Sequence, residues 1–326
     1  MSQYRLKVIV LLSWTTLAIS GVSIAEEMSW QGYERLGDEA KQNSSWSQAE
    51  EAYEKAIDLK DKATSERPDN DTASLLNKLG EVRFRMKNFK NAEAAYRRAL
   101  GIYDWNLGPD DPSVADTLDL LGTSFLNQEN GRALAGPLYY RALAIREKAL
   151  GPDHPKVAES LQKVGLSLYF DNGRLLNAVP LFQRALKIRE KAFGHNHLDV
   201  ADSLNTMAFV YDLHNARDRA IPLYQRALEI QEKLLGPDAP EVLQTLYSLG
   251  SAYSIEREYA KAETVEKRRL KSLEAKLGQD HLEVASALDS YAFALSNAGK
   301  EEQAQALRDR AQKIRDKAKT RTLPKN

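Results

Sequence analysis

Five histidines and a column of arginines are the side chains whose types and spacing invite chemistry. His154, His197 and His281 hold the same place in three linkers, where Asp111 and Ala239 stand in two others. A position that accepts His, Asp or Ala at the start of a helix reads as a cap for free backbone N–H groups, not as a ligand. His195, His197 and Asp199 have a loop spacing that a metal tolerates. No further ligand and no His-Glu-x-x-His helix accompanies them, so no metal is expected. The chain has no Cys, hence no thiol nucleophile, no disulfide and no thiolate metal site. A Gly-x-Ser-x-Gly elbow, a phosphate-binding glycine loop and a dinucleotide fingerprint are all missing, so no catalytic residue, cofactor or small-molecule substrate is expected.

The arginines Arg98, Arg141, Arg184, Arg226, Arg268 and Arg310 recur with one period, and Lys55 holds the place in the first unit. A basic strip of this kind could grip an acidic partner. The better reading pairs each guanidinium with a carboxylate of a neighbouring unit, because Glu147, Glu190 and Glu232 recur with the same period. Formal net charge is zero, so no global field attracts nucleic acid or an anionic membrane.

The elements that position these side chains repeat. GPDDPSVADTL from Gly108 returns as GPDHPKVAESL from Gly151, GHNHLDVADSL from Gly194, GPDAPEVLQTL from Gly236 and GQDHLEVASAL from Gly278, at spacings of 43, 43, 42 and 42 residues. A fixed period of this length specifies a repeat array, in which each unit contacts only its neighbours. Within the period from Gly151, Val157, Ala158, Leu161, Val164, Gly165 and Leu168 recur at helical spacing, Asp171-Asn172-Gly173 breaks the pattern, and Leu175 to Ile188 carries a second apolar stripe. Phe193-Gly194 closes it, with the glycine expected in the left-handed conformation. One unit is therefore a helix, a tight turn and a longer helix.

Seven such pairs are expected. They are Ser29–Asn43 with Ser47–Thr64, Asp71–Lys87 with Phe89–Leu107, Pro112–Gln128 with Arg132–Leu150, Pro155–Phe170 with Leu175–Phe193, Leu198–His214 with Ala216–Leu235, Pro240–Arg257 with Tyr259–Leu277, and Leu282–Ala298 with Lys300–Lys319. The first helix carries a Leu-Gly pair or an equivalent, as at Leu79-Gly80, Leu121-Gly122 and Leu249-Gly250. The second carries small–aromatic–small, as at Ala92, Tyr96 and Ala99. Unit 6 breaks this rule with Glu266 and Arg269, three apart on one helix face and able to pair.

This pattern resembles the tetratricopeptide repeat. The linker Leu150-Gly-Pro-Asp-His-Pro155 and the run Arg141-Ala-Leu-Ala-Ile-Arg-Glu-Lys148, copied at Arg184 and Arg226, resemble the repeats of kinesin light chains. The resemblance covers Gly108 to Leu277 well, with a diverged stretch before it and a final repeat after it. It implies an all-α, right-handed superhelical solenoid that binds peptides or protein surfaces, with the first helices lining a concave groove. On that footing the groove residues are Asn77, Glu81, Phe84, Asp119, Thr123, Asn127, Gln162, Tyr169, Asn205, Phe209, Asp212, Tyr247, Ser251 and Ser254. Amides there would bond an extended backbone and aromatics would anchor its side chains. Asp116, Glu159 and Asp202, one turn earlier, add negative charge and suggest a partner of some basic character.

The ends complete the division. Arg5 and Lys7, the apolar run Val8 to Ile19 and Ser23-Ile24-Ala25 before Glu26 read as a secretory signal cleaved between Ala25 and Glu26. The alternative is an uncleaved anchor, the one membrane contact expected. Residues 1–25 are then the signal, 26–107 two diverged repeats, 108–277 four well-matched repeats, 278–319 a capping repeat with a polar last helix, and 320–326 a disordered tail. The function expected is a non-enzymatic periplasmic or secreted adaptor for a protein or peptide. The alternative is a self-associating component of an envelope assembly.

Overall fold

The computed structural model describes residues 28–63, 67–129, 131–170 and 177–322, with residues 169–170 and 321–322 described by backbone alone. The expected signal and its Ala25–Glu26 junction lie outside the described residues. Fourteen α-helices and no strands occur among the described residues. They pair as α1 Trp30–Gln42 with α2 Trp46–Ala63, α3 Asn70–Arg85 with α4 Phe89–Asn106, and α5 Pro112–Leu126 with α6 Arg132–Leu150. Then come α7 Pro155–Phe170 with α8 Val179–Phe193, α9 Leu198–Leu213 with α10 Arg217–Leu235, α11 Pro240–Ile255 with α12 Tyr259–Leu277, and α13 Leu282–Asn297 with α14 Glu301–Thr322. Each helix packs on the next along the chain, as a solenoid requires.

The linker between units is built from its sequence. Gly151, Gly194, Gly236 and Gly278 end the second helices at φ of 80° to 85° and ψ of 158° to 172°. This is not the left-handed helical region expected from the sequence but the extended region beyond it, open essentially to glycine alone. Each of these glycines donates its N–H to the Glu carbonyl four residues back, at Glu147, Glu190, Glu232 or Glu274. The chain then re-enters a helix through the cap. Asp111 Oδ1 accepts from Ser113 N at 2.8 Å, and the Nδ1 atoms of His154, His197 and His281 accept from the backbone N–H two residues on at 3.1–3.2 Å. The histidines are thus caps.

Within a unit, the aromatic of the second helix rests on the glycine of the first. A Cβ on Gly80 would stand 2.3 Å from Tyr96 Cε1, and one on Gly122 would stand 2.8 Å from Tyr139 Cε1. Tyr53, Tyr96, Tyr139, Phe182 and Tyr224 are accordingly buried, with Ala56, Ala99, Ala142, Ala185 and Ala227 fully covered beside them. The apolar core runs the length of the array as linked clusters, each drawing on consecutive units.

Two boundaries differ from expectation. The second helix of unit 4, expected from Leu175, is α-helical from Val179 after a 3-10 turn at residues 177–178, and residues 171–176 lie outside the described residues. The last helix runs through Thr322, three residues into the segment read as a tail, while residues 323–326 lie outside the described set.

Candidate functional site

The curvature of the array follows from which helices meet. First helices of neighbouring units touch, α3 with α5, α5 with α7, α9 with α11 and α11 with α13. No pair of consecutive second helices approaches as closely among the described residues. The first helices therefore form the inner, concave layer.

Several of the polar residues expected to face a ligand there instead tie one first helix to the next, and others bond within their own unit. Asn77 Nδ2 donates to Thr117 Oγ1 at 2.9 Å, Gln162 Nε2 to Asp202 Oδ2 and Thr206 Oγ1 at 3.0 Å, and Asn205 Nδ2 to Thr245 Oγ1 at 2.9 Å. Glu81 is ion-paired with Lys41. Thr123 meets the Tyr139 hydroxyl at 3.0 Å and bonds the Asp119 carbonyl, and Asn127 bonds the Thr123 carbonyl at 2.9 Å. Phe84 packs edge-on against Phe89. Asp212 pairs with Arg217 at 2.7 Å, and burial nonetheless outweighs that partner and raises its carboxyl pKa. The side chain of Tyr169 lies outside the described residues.

A column of buried polar side chains on the second helices, missed in the sequence, locks these ties. Arg146 is 3 % exposed and donates to Asp119 at 2.7 Å, to Asp116 at 2.6 Å and to Ser160 of the next unit. Lys163 reaches the same Asp119 oxygen at 2.8 Å. Arg189 repeats the arrangement with Ser203 at 2.7 Å and Asp202 at 3.2 Å, and Gln231 accepts from Thr245 at 2.7 Å. The 43-residue period relating Arg146 to Arg189 is visible in the sequence, but their burial is not. Asp116, Glu159 and Asp202 are all paired, to Arg146, Lys163 and Arg189 respectively, so they offer no unpaired acid that would select a basic partner.

The ladder is interrupted in unit 6, where Leu273 replaces the buried polar residue and Tyr247 the tying amide, and it resumes in unit 7, where Arg315 is bound to Asp289. Exposed apolar side chains line the inner face of units 5 to 7. Phe209, Tyr247 and Phe293 are 45 %, 43 % and 57 % exposed, and Leu213 and Ile255 are exposed beside them. Ser251 is half-buried and Ser254 buried. Three clefts of about 610, 250 and 500 Å³ lie along units 5 to 7, walled by second as well as first helices, and Gln244 lines all three. Gln244 occupies the column of Asp116, Glu159 and Asp202, one turn before Tyr247. That register is readable in the sequence, although only its acidic members signalled a role there.

The regular arginines lie on the other face. Arg98 pairs with Asp61, Arg141 with Asp104, Arg184 with Glu147, Arg226 with Glu190, Arg268 with Glu232 and Arg310 with Glu274, at 2.5–2.6 Å. Each bond crosses from one unit to the one before it. The strip is a seam between units.

Models of the tetratricopeptide repeat match residues 71–133, 167–233 and 217–275, and a further model of the same description matches residues 114–156. No match is found among curated proteins. Among solved structures, the putative kinesin light chain of Podosopora anserina with nearly identical TPR-like repeats aligns at a TM-score of 0.59 and 22 % identity, covering 64 % of this chain and 98 % of that one. The apo form of RapI aligns at 0.63 and 16 % identity, covering 89 % and 99 %. A Rap protein complexed with competence and sporulation factor aligns at 0.53 and 17 %, covering 88 % and 75 %. At these identities the likeness is one of fold. The matched repeat models span more than half of the sequence, and the chain belongs to the tetratricopeptide repeat family.

Proposed function

We propose that this chain is a non-enzymatic adaptor that holds a partner protein by an extended segment laid along the inner face of units 5 to 7. The observation that carries this is the run of clefts that share Gln244, one of them lined by Phe209, together with the exposure of Tyr247 and Phe293 on the same first helices. Large apolar side chains exposed side by side along a concave surface anchor a ligand's side chains, while Gln244 has a carboxamide for its backbone. Units 2 to 5 act as the rigid frame, because their inner polar groups are committed to one another. A Rap protein of this fold, solved with a bound factor, supports a binding role. The sequence of residues 5–26 supports a periplasmic or secreted site of action, which N-terminal sequencing of the protein from its source tests directly; an intact Met1 defeats it.

The test is affinity capture on the immobilised chain from native extract, with a Phe209→Ala/Phe293→Ala variant as control. Both residues are largely exposed, so the variant folds. A partner captured by the native chain and lost by the variant supports the groove. A partner held equally by both refutes it. Self-association is the second reading, favoured by Leu282 and Phe293 at 53 % and 57 % exposure near the end of the array. Mass measured across concentrations decides it.

A further inference from the structure

Unit 6 departs from the repeat at three positions that meet in space. Glu266 stands where units 1 to 5 place a buried aromatic, Arg269 where they place Ala, and Tyr247 where units 2 to 5 place a tying Asn, Asp or Gln. The Glu266 carboxylate is 2 % exposed and lies against Gly250, with Oε1 only 2.5 Å from where a Cβ would stand. Arg269 Nη1 donates to Glu266 Oε2 at 3.1 Å, and its guanidinium carbon sits 4.8 Å from the centre of the Tyr247 ring. The three residues form a chain from the core to the inner face.

We propose that Glu266 is a positioning residue for the groove: through Arg269 it holds the Tyr247 ring as a fixed stacking platform for an aromatic side chain of the bound segment, and it loosens that hold on taking up a proton. The proposal rests on the groove reading above. A buried ion pair is a poor substitute for aromatic packing in stability, since both charges lose their water. Its gain here is geometric. The carboxylate fixes the plane of the guanidinium, and the guanidinium covers one face of an exposed ring. A ring already held in place loses less freedom when a ligand stacks on it. The same Arg269 lines the cleft of about 500 Å³ with Gln244, so the platform adjoins a space that can take the ligand.

Burial pushes the Glu266 carboxyl up to about 7, against the opposing pull of Arg269. The helices packed on α12 bring Tyr247 and Tyr253 from α11, and Tyr291 and Asp289 from α13. Tyr291 lies beside the Glu263–Lys300 pair, and Asp289 is bound to Arg315. Arg269 remains the one charged group acting on Glu266.

The test is NMR of the full chain with N-acetyltryptophanamide as probe, at about pH 5 and about pH 8.5, on either side of this titration. The Tyr247 ring is assigned by its loss in Tyr247→Leu. Ring-current displacement of the Arg269 Nε–H is expected at the higher pH and should collapse at the lower. Probe affinity is expected to be at least about threefold tighter at the higher pH, since an ionised carboxylate roughly doubles the strength of the bond that fixes Arg269. Glu266→Gln should bind equally at both, and Glu266→Asp should restore the dependence. Equal affinity of the native chain at the two pH values overturns the proposal without relying on any variant. A probe that moves Phe209 and Phe293 but not Tyr247 leaves the groove standing and removes the platform. One that moves none of the three removes both.

Discussion

Asp119 and Arg146 meet at 2.7 Å with both side chains 4 % exposed, and this pair closes the junction of units 3 and 4 from the inside. Arg146 also reaches Ser160, and Lys163 also reaches Asp119. Removing Asp119 takes away the buried partner of Arg146 and leaves it Asp116, whose side chain is 50 % exposed. Asp119→Ala is expected to cost about 3–5 kcal/mol. In a repeat array that loss is local before it is global. Amide exchange should therefore accelerate first in α5 to α7, and unchanged protection there would refute the buried role.

The outer arginines should behave differently. Arg184 and Glu147 are 40 % and 34 % exposed, so solvent screens their bond. Arg184→Ala is expected to cost less than about 1 kcal/mol by chemical denaturation, and to leave partner capture unchanged.

The linker glycines are fixed by conformation and not by space. Nothing lies within 4 Å of where a Cβ on Gly194 would stand, yet its φ is 80°. Gly194→Ala should cost about 1–3 kcal/mol through backbone strain alone. The converse change lies in the turns inside the units, where Lys87 and Arg257 both hold a φ of 61°. Arg257→Gly relieves a left-handed side chain and should raise the midpoint of unfolding by the equivalent of about 1 kcal/mol. A fall in the midpoint would show that the arginine side chain contributes more than its backbone costs.

Unit 6 carries a pH dependence whose sign is set by Glu266. Its folded pKa of about 7 lies above its ordinary value of 4.5, so the folded state holds the proton more tightly. The associated stability is complete below pH 4.5 and is lost as pH rises through about 7, a change on the order of 1–3 kcal/mol. Glu266→Tyr with Arg269→Ala restores the pattern of units 1 to 5, and Gly250 leaves room for the ring. That double variant should be more stable at about pH 8 by about 1–4 kcal/mol and should lose this part of the pH dependence. Melting curves for the two chains across pH would show them parting as pH rises, and curves that stay parallel would refute the titration.

The sequence alone determined the architecture, because a solenoid is written in local signals. Gly151 with Pro155, the Leu-Gly pairs and the Ala–aromatic–Ala stripes each specify a turn or a packing contact within one unit or its neighbour, and the period repeats them. The histidine caps and the pairing of Arg184 with Glu147 were legible for the same reason. What only the tertiary structure decided is which polar side chains remain open. Asn77, Gln162 and Asn205 stand on the inner face, as their spacing indicated, but each meets a hydroxyl or carboxylate about one period away, and the curvature of the array brings those partners within bonding distance. Burial of Arg146 and Arg189, the junction of three clefts at Gln244, and the contact of Glu266 through Arg269 with Tyr247 likewise depend on the angle between units. That angle is summed over packing contacts on several helices, and no local stretch of sequence encodes it.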